Sequence, residues 1–334
     1  MTNDVFLDFL NSGDCQTPIL AANVSPEIGV SPLTKNSATD YIQPFTVINK
    51  GGMKIGIIGN GFVGSAIMHG FILHADDIMI YDKDPKRSTH SMKNLVRNSD
   101  VIFICVPTPM FESGECDLSI VESVVADLSQ YNKISKKVVV IKSTVVPGTT
   151  EKLAAAYPKM NFVFNPEFLT ERKARLDFIN TSRIVLGSNN LLANNIVEKL
   201  YRLRFPYTKI IKTDFGTAQL IKYMANCFFA TKVSFMNEMY QICNAIDGDW
   251  EKALEGFITD GRIGNSHIDV PGHDGDFGFG GKCFPKDLNA MIKRAEELGV
   301  SPDVMKGAWE KNKQVRKDLD WYDIPGAVSI KKGE

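Results

Sequence analysis

Apolar residues fall into short continuous runs, separated by amphipathic stretches, from about residue 53 to residue 210. Continuous apolar runs are typical of parallel strands that are covered on both faces, and amphipathic stretches are typical of helices. Strands are predicted at MKIGIIG, DIMIYD, VIFICVP, KKVVVIKST, NFVFNPE and, as the last, SRIVLGS; helices are predicted at GFVGSAIMHGFIL and LSIVESVVADLSQY. This alternation predicts an α/β fold with a Rossmann-type doubly wound parallel sheet.

The pattern changes near Thr213, where the predicted strands stop. The stretch TAQLIKYMANCFFATKVSFMNEMYQICNAI contains neither Pro nor Gly over 30 residues, and predicts one long central helix of about 45 Å. Because this helix is apolar on nearly every side, we expect an all-helical domain and a partner subunit to cover it. Further helices are predicted at DLNAMIKRAEEL and at VMKGAWEKNKQVRKDL.

These patterns predict three parts of the chain. Residues 1–52 mix Pro with Asn, Ser and Thr and show little periodicity, which predicts an extended or poorly ordered arm. Residues 53–210 form the predicted sheet domain, and residues 211–334 the predicted helical domain.

Composition narrows the class of protein. The 38 Lys and Arg residues nearly cancel the 39 Asp and Glu residues, so no overall field attracts nucleic acid or an anionic membrane. No apolar run approaches the roughly 20 residues that a membrane span needs, and the N-terminus lacks the basic region of a signal peptide. The six cysteines have no C-x-x-C spacing, which argues against a disulfide scaffold and a zinc site. We therefore expect a cytoplasmic protein without a metal.

The first glycine-rich motif, Gly59-Asn60-Gly61-Phe62-Val63-Gly64, follows a predicted strand and opens a predicted helix. Such a turn holds a pyrophosphate against the helix N-terminus. Asp82 ends the next strand, at the spacing of an acid that binds a ribose 2′-hydroxyl. A carboxylate there favours NAD over NADP, although Lys83 and Arg87 lie close enough to favour a 2′-phosphate. A methyltransferase that binds S-adenosylmethionine through the same elements also remains open at this point.

Later segments resemble the UDP-glucose/GDP-mannose dehydrogenase family over about residues 53–316. They are VPTP after the third strand, KSTVVPGT, NPEFLTE, a Lys and an Asn in the long helix, and GFGGKCFPKD, which is the most specific. The resemblance implies a homodimer, held through the long helix, that uses NAD to oxidise the C6 alcohol of a nucleotide sugar. UDP-glucose, converted to UDP-glucuronate in two steps through a thioester, is the first candidate substrate.

The resemblance also implies roles for individual residues. The catalytic residues would be Cys283, Lys222, Asp287, Asn226, Glu171 and Thr144. NAD would be bound by Gly59, Asn60, Gly61, Phe62, Val63, Gly64, Asp82, Lys83, Val106, Pro107, Thr108, Thr144, Glu171 and Lys286. The nucleotide sugar would be bound by Glu167, Phe168, Leu169, Thr170, Glu171, Lys222, Asn226, Arg262, His267, Phe277 and Gly280.

The residues around Cys283 are compatible with a nucleophile, and the flanking family motif decides in favour of that role. Pro285 suits the first turn of a helix, which places Cys283 at a helix N-terminus where a thiolate is favoured. Lys282, Lys286 and Lys222 are candidate cations that would lower the pKa of the thiol further. An alcohol-to-acid oxidation needs such a thiol, because an aldehyde has no second hydride to give until a nucleophile adds to it. The alternative is a small buried core cysteine.

The other candidates each have an ordinary structural alternative. Lys222 and Asn226 are an i, i+4 pair that could stabilise an oxyanion, or Lys222 could be a snorkelling lysine at a domain edge. Asp287 could hold a catalytic water or simply stabilise the helix N-terminus. Glu171 could activate water for thioester hydrolysis together with Thr144, or belong to a solvated acidic loop.

Two features depart from the family. The loop between Arg262 and the glycine segment is longer and more acidic than usual and contains His267 and His273, which are not spaced as metal ligands. Family members usually continue into a further α/β domain that holds the base, whereas this sequence ends at Glu334. The alternatives are therefore a dehydrogenase of GDP-mannose, a UDP-N-acetylhexosamine or a plain hydroxyacid, or a non-catalytic protein that binds nucleotide sugars.

Overall fold

The computed structural model describes residues 52–329 of the chain. The arm predicted over residues 1–52 lies outside the described residues, apart from Gly52, and so do residues 330–334. Within residues 52–329, no helix is both long enough and apolar enough to cross a membrane.

A seven-stranded sheet with helices on its faces forms the first part of the described chain. The strands of the chain are β1 (Lys54–Ile58), β2 (Asp77–Tyr81), β3 (Val101–Ile104), β4 (Met110–Phe111), β5 (Val138–Ile141), β6 (Asn161–Phe164), β7 (Arg183–Gly187), β8 (Lys209–Thr213) and β9 (Val328–Ser329). The large sheet has the order β2-β1-β3-β5-β6-β7-β8, and β4 pairs with β9 in a small separate sheet. The predicted Rossmann-type sheet is confirmed.

The last two strands of the large sheet differ from the prediction. The pairs among β2, β1, β3, β5 and β6 are parallel, but β7 runs antiparallel to β6, and β8 is parallel to β7. The sheet is therefore mostly parallel, with one antiparallel pair at this edge. The prediction that SRIVLGS contains the last strand of the sheet is wrong, because β8 follows it. The apolar pattern does not reveal β8, since β8 is a partly exposed edge strand without a long apolar run.

Ten helices, α1 to α10, occur in the described residues. They are α1 (Phe62–Phe71), α2 (Met92–Asn98), α3 (Ser119–Ser129), α4 (Thr149–Ala156), α5 (Ala174–Ile179), α6 (Leu191–Arg204), α7 (Phe215–Ala245), α8 (Trp250–Ile258), α9 (Phe284–Glu297) and α10 (Asp303–Val315). The helix predicted to reach Leu319 ends four residues earlier, at Val315.

The predicted long helix is confirmed as α7, which has 31 residues. It begins at Phe215 because the Asp214 carboxylate accepts a hydrogen bond of 2.8 Å from the Thr217 N–H, as an N-cap does. Its inner face packs on α9 and α10. Its outer face, defined here as six partly or largely exposed apolar side chains, comprises Leu220, Met224, Phe228, Phe235, Met239 and Ile242.

The sheet gathers the functional loops at one edge. β3 and β5 are buried along their whole length, as expected for central parallel strands. The loops that follow β1, β3, β5 and β6 all leave from the carboxyl ends of parallel strands, where ligands bind in open α/β sheets. These loops contain the glycine turn and the three polar segments that the sequence singles out.

Candidate active site

The glycine turn between β1 and α1 has the geometry of a phosphate-binding turn. Gly59 has a φ of +93°, and a Cβ there would lie 2.5 Å from the Cys105 carbonyl oxygen, so only glycine fits. At Gly61 a Cβ would have nothing within 4 Å, which leaves that side of the turn open to a ligand. No side chain caps α1 at Gly61, so the helix N-terminus faces the same open side.

Asp82 follows β2 and lies against this turn. Its carboxylate accepts hydrogen bonds from the N–H groups of Asn60, at 2.7 Å, and Asp84, at 3.0 Å. Burial raises the pKa of Asp82, but these hydrogen bonds and the charges of Arg87 and Lys83 outweigh it, so the pKa lies below its ordinary value. The Arg87 guanidinium donates to the Asn60 carbonyl. An ionised carboxylate therefore lies against the turn, bound to the residue that precedes the Gly61 N-cap of α1.

The loops after β3 and β5 are joined by side-chain hydrogen bonds. The Thr108 hydroxyl donates to the Thr144 carbonyl at 2.8 Å, and the Ser143 hydroxyl donates to the Val106 carbonyl at 2.7 Å. Lys142 is buried and donates to Asn165 Oδ1 and to the Pro166 carbonyl, at 3.1 and 3.2 Å. These hydrogen bonds hold the loops after β3, β5 and β6 together at one edge of the sheet.

Lys222 of α7 forms a buried ion pair with Glu167, which follows β6. The Lys222 Nζ lies 2.9 Å from Glu167 Oε1, and the two side chains are only 4% and 7% exposed. The second carboxylate oxygen accepts the Leu169 N–H at 2.6 Å. Lys222 is therefore not a snorkelling lysine; it joins the helical part of the chain to the sheet edge.

Asn226, one turn later on α7, reaches the helix that begins after Cys283. Its Nδ2 donates to Asp287 Oδ2 at 2.5 Å, and Asp287 is 1% exposed. The Lys286 ammonium donates to the other oxygen of the same carboxylate. Burial lowers the pKa of Lys286, but the charge and hydrogen bond of Asp287, together with Cys116 and Cys283, outweigh burial and leave that pKa above its ordinary value. The Asp287 carboxylate is thus held from two sides.

Cys283 is the N-cap residue of α9, as the sequence predicts, and is partly exposed. Burial raises the pKa of its thiol to about 11, and the charges of Asp287 and Glu167 act in the same direction. Lys222 and Lys286 lower it, but by less. The expectation of a lowered pKa is therefore wrong for the protein without ligands: two lysines are close, but each is matched by a carboxylate.

Comparisons with known proteins agree with this arrangement. Residues 86–204 match the NAD binding domain of the UDP-glucose/GDP-mannose dehydrogenase family, and residues 216–314 match the central domain of the same family. These two regions make up more than half of the chain. The chain belongs to the UDP-glucose/GDP-mannose dehydrogenase family.

Individual relatives give the extent of the similarity. The UDP-glucose 6-dehydrogenase of Rickettsia felis is 34% identical over 78% of this chain and 65% of its own length. UDP-glucose 6-dehydrogenase TuaD of Bacillus subtilis is 36% identical over 68% of this chain and 49% of its own length. A solved UDP-glucose dehydrogenase of Pyrobaculum islandicum superposes with a TM-score of 0.71 at 28% identity, covering 81% of this chain and 70% of that one. The chain thus spans between about half and two thirds of these two curated relatives.

The family's NAD binding domain identifies the cofactor as NAD, and the site fits it. Gly61 leaves the turn open, the N-terminus of α1 can take a pyrophosphate, and Asp82 can accept hydrogen bonds from ribose hydroxyls. An ionised Asp82 disfavours the 2′-phosphate of NADP. The glycine turn and Asp82 alone do not exclude the methyltransferase alternative. The family match excludes it.

Several predicted substrate-binding residues lie apart from the buried cluster. Glu171 is exposed, and within residues 52–329 no hydrogen bond links it to Thr144 or Cys283. Arg262 is exposed and paired with Asp260 on its own loop. His267 stacks on Phe229, with ring centroids 4.2 Å apart, and lies 5.5 Å from the Phe284 ring beside Cys283. Burial and the charge of Lys232 lower the pKa of His267.

Four further predicted substrate-binding residues, Phe168, Thr170, Phe277 and Gly280, have contacts of their own. Phe168 lies between two cations, with Arg183 Cζ 3.8 Å and Lys222 Nζ 5.7 Å from its ring centre. Phe277 packs on Tyr240, and Gly280 packs against Arg316 and Asp320. The Thr170 N–H donates to Asp177. Sequence reasoning did not assign a role to Lys142, because a lysine inside an apolar strand end carries no spacing signal.

Proposed function

We propose that this chain catalyses the NAD-dependent oxidation of the C6 alcohol of a nucleotide sugar to the carboxylate, with UDP-glucose as the first candidate. The observation that carries the proposal is that Cys283, at the N-terminus of α9, stands beside two buried polar pairs: Lys222 with Glu167, and Asp287 with Asn226 and Lys286. A dehydrogenase that stops at the aldehyde has no use for a thiol at this place. The UDP-glucose 6-dehydrogenases among its relatives support the choice of sugar.

In the first oxidation, the Lys222–Glu167 pair acts on the C6 hydroxyl. The Lys222 ammonium stabilises the developing alkoxide, and the Glu167 carboxylate offers a site for the hydroxyl proton. When NAD is bound, it accepts the hydride in each of the two oxidations. This step does not need an ionised thiol, which agrees with the raised pKa of Cys283.

In the second half of the reaction, the Cys283 sulfur adds to the aldehyde carbon. The new C–S bond forms as the C=O π bond opens, and the thiol proton ends on the former carbonyl oxygen, giving a thiohemiacetal. Loss of hydride from this carbon and of the hydroxyl proton gives the thioester. Water then adds to the thioester, the C–S bond breaks, and carboxylic acid and free thiol are released. Asp287, fixed by Asn226 and Lys286, is the base that the cluster offers for that water.

A substrate panel tests the proposal. Purified protein is incubated with NAD and, separately, with UDP-glucose, a UDP-N-acetylhexosamine, GDP-mannose or a plain hydroxyacid. We expect two NADH per molecule of uronate with UDP-glucose, and no free aldehyde. One NADH with an accumulating aldehyde would contradict the thioester route. A nucleotide sugar that raises the melting temperature without any NADH would instead support the non-catalytic binding protein.

We also propose that the outer face of α7 is buried in a homodimer. Its six apolar side chains recur at intervals of three, four or seven residues, so they form a continuous stripe on one side of the helix. Phe228 is 63% exposed and Met224 61% exposed near the middle of the stripe. Contiguous exposed apolar surface of this kind marks protein–protein contacts.

Phe228→Glu tests this homodimer. The substitution places a carboxylate at the centre of the outer face, so we expect the protein to change from a dimer to a monomer in multi-angle light scattering. Leu191→Glu on α6 is the matched control, because Leu191 is also apolar and is 74% exposed but lies outside α7. It should leave the dimer intact. A wild-type monomer, or a Phe228→Glu protein that remains dimeric, would contradict the proposed interface.

A further inference from the structure

The glycine loop that carries Cys283 is held by polar side chains from three separate parts of the chain. The Gly278 N–H donates to Asn237 Oδ1 of α7 at 3.0 Å. Asn312 of α10 binds both the N–H and the carbonyl of Phe279, at 2.7 and 3.0 Å. The loop is thus anchored through its backbone, and the buried Phe279 side chain adds ring contacts with Phe284 and Trp309.

The third anchor comes from beyond the matched family domains. Asp320 accepts the Gly281 N–H with both carboxylate oxygens, each at 3.0 Å. The match to the family's central domain ends at residue 314. The residues that follow, 316–329, are called here the C-terminal segment, and neither family match covers them.

Arg316 fixes Asp320 from the other side. Its guanidinium lies 3.3 Å from the Asp320 carboxylate and 2.9 Å from the Asp274 carboxylate. The Arg316 side chain is 2% exposed, whereas the Asp274 and Asp320 side chains are 33% and 26% exposed, so a buried guanidinium is held by two partly exposed carboxylates. A Cβ at Gly280 would lie 2.2 Å from an Arg316 nitrogen, which shows that the glycine loop packs directly on this pair.

The far end of the C-terminal segment is also fixed. Trp321 is buried, with its ring centroid 5.3 Å from that of Trp309. β9 then pairs with β4, and the Met110 N–H donates to the Ala327 carbonyl at 2.9 Å. β4 directly follows the Val106–Pro109 loop at the sheet edge. Asp320 therefore lies on a segment that contacts the glycine loop of Cys283 at one end. At its other end, the segment pairs with β4, the strand after the Val106–Pro109 loop.

From these contacts we infer that Arg316 and Asp320 are positioning residues for Cys283. They act on the thiol through the Gly280–Gly281 backbone, which they hold two residues before Cys283. This inference deepens the proposed function and rests on it for the role of Cys283. The physical consequence is that the thiol stays partly buried and aimed into the Lys222–Glu167–Asp287 cluster.

Loss of the Asp320 anchor should lower the pKa of the Cys283 thiol and raise its rate of alkylation. Burial is the main cause of the raised pKa of Cys283. A released loop exposes the sulfur, so its pKa should fall, and a fall of one unit gives about ten times more thiolate at neutral pH. Alkylation follows the thiolate. We therefore expect Cys283 to react faster with iodoacetamide while turnover decreases.

The test measures alkylation of each cysteine by peptide mass spectrometry, between pH 7 and 10, in the protein without ligands. In Asp320→Ala, the rate at Cys283 should rise about tenfold at pH 7.5. Asp320→Asn, which keeps one acceptor for the Gly281 N–H but loses the ion pair, should show a smaller rise. Asp323→Ala changes an exposed carboxylate of the same segment and should behave like wild type.

Buried Cys105 and Cys227 report on unfolding in the same samples. A rise at Cys283 alone, with uronate formation falling in the order wild type, Asp320→Asn, Asp320→Ala, supports the inference. An unchanged Cys283 rate in folded Asp320→Ala overturns it. If Asp320→Ala also reacts at Cys105 and Cys227, Asp320→Asn decides, and an unchanged Cys283 rate there overturns it. Because alkylation needs no substrate, a Cys283-specific rise in a protein without turnover would reject the proposed function but keep the loop anchor.

Discussion

Cys283→Ser should abolish uronate formation, with a decrease of at least about a thousandfold. Serine keeps the size of the side chain, but its hydroxyl is far less ionised and less nucleophilic than a thiol, so no acyl intermediate forms. Product is measured by liquid chromatography and mass spectrometry, together with NADH. The first oxidation does not use the sulfur, so aldehyde formation should persist at a reduced but measurable rate.

The matched control is Cys243→Ser. Cys243 is a buried cysteine of α7 outside the described cluster. This variant should retain most of the wild-type turnover, which separates loss of the nucleophile from loss of any one thiol. Uronate formation by Cys283→Ser at a rate near that of wild type would show that the acid forms without a covalent intermediate.

Lys222→Met should lower the free energy of unfolding by about 3–5 kcal/mol, because it leaves the Glu167 carboxylate buried without a partner. The two side chains are 4% and 7% exposed, so water cannot replace the lost ammonium. Turnover should also fall strongly, since the cation beside the C6 oxygen is lost. Urea unfolding, followed by circular dichroism, measures the stability.

The double variant Lys222→Met/Glu167→Gln separates the two effects. It removes both charges, so most of the lost stability should return, whereas turnover should not. Buried ion pairs are often replaced by uncharged groups at little cost to stability. A single Lys222→Met variant as stable as wild type would show that water reaches Glu167. Recovery of turnover in the double variant would show that the pair has no catalytic role.

The parts of the site that sequence predicted best are those encoded locally. The glycine turn and Asp82 lie together because a strand, a turn and a helix of fixed length bring them there. The long helix was predicted within two residues at each end, since the stretch contains no residue that breaks a helix. Cys283 is at a helix N-terminus, as the position of Pro285 indicates.

The parts that sequence could not predict depend on residues far apart in the chain. Glu167 and Lys222 are 55 positions apart, so no spacing rule pairs them. The sequence predicts a lowered pKa for Cys283 when the lysines are counted without burial and without the carboxylates that pair with them. Burial, the nearby Asp287 and the distant Glu167 reverse the direction. The antiparallel direction of β7 and the exposed edge strand β8 are likewise set by neighbouring strands and not by their own apolar pattern.

The covalent state of Cys283 during turnover is the most direct measurement. Protein, NAD and UDP-glucose are mixed, quenched with acid within the first turnovers, digested and analysed by mass spectrometry. We predict that the peptide containing Cys283 carries the mass of the uronyl nucleotide as a thioester, and that hydroxylamine removes it. Two NADH per uronate with an unmodified Cys283 at every quench time would contradict the thioester mechanism.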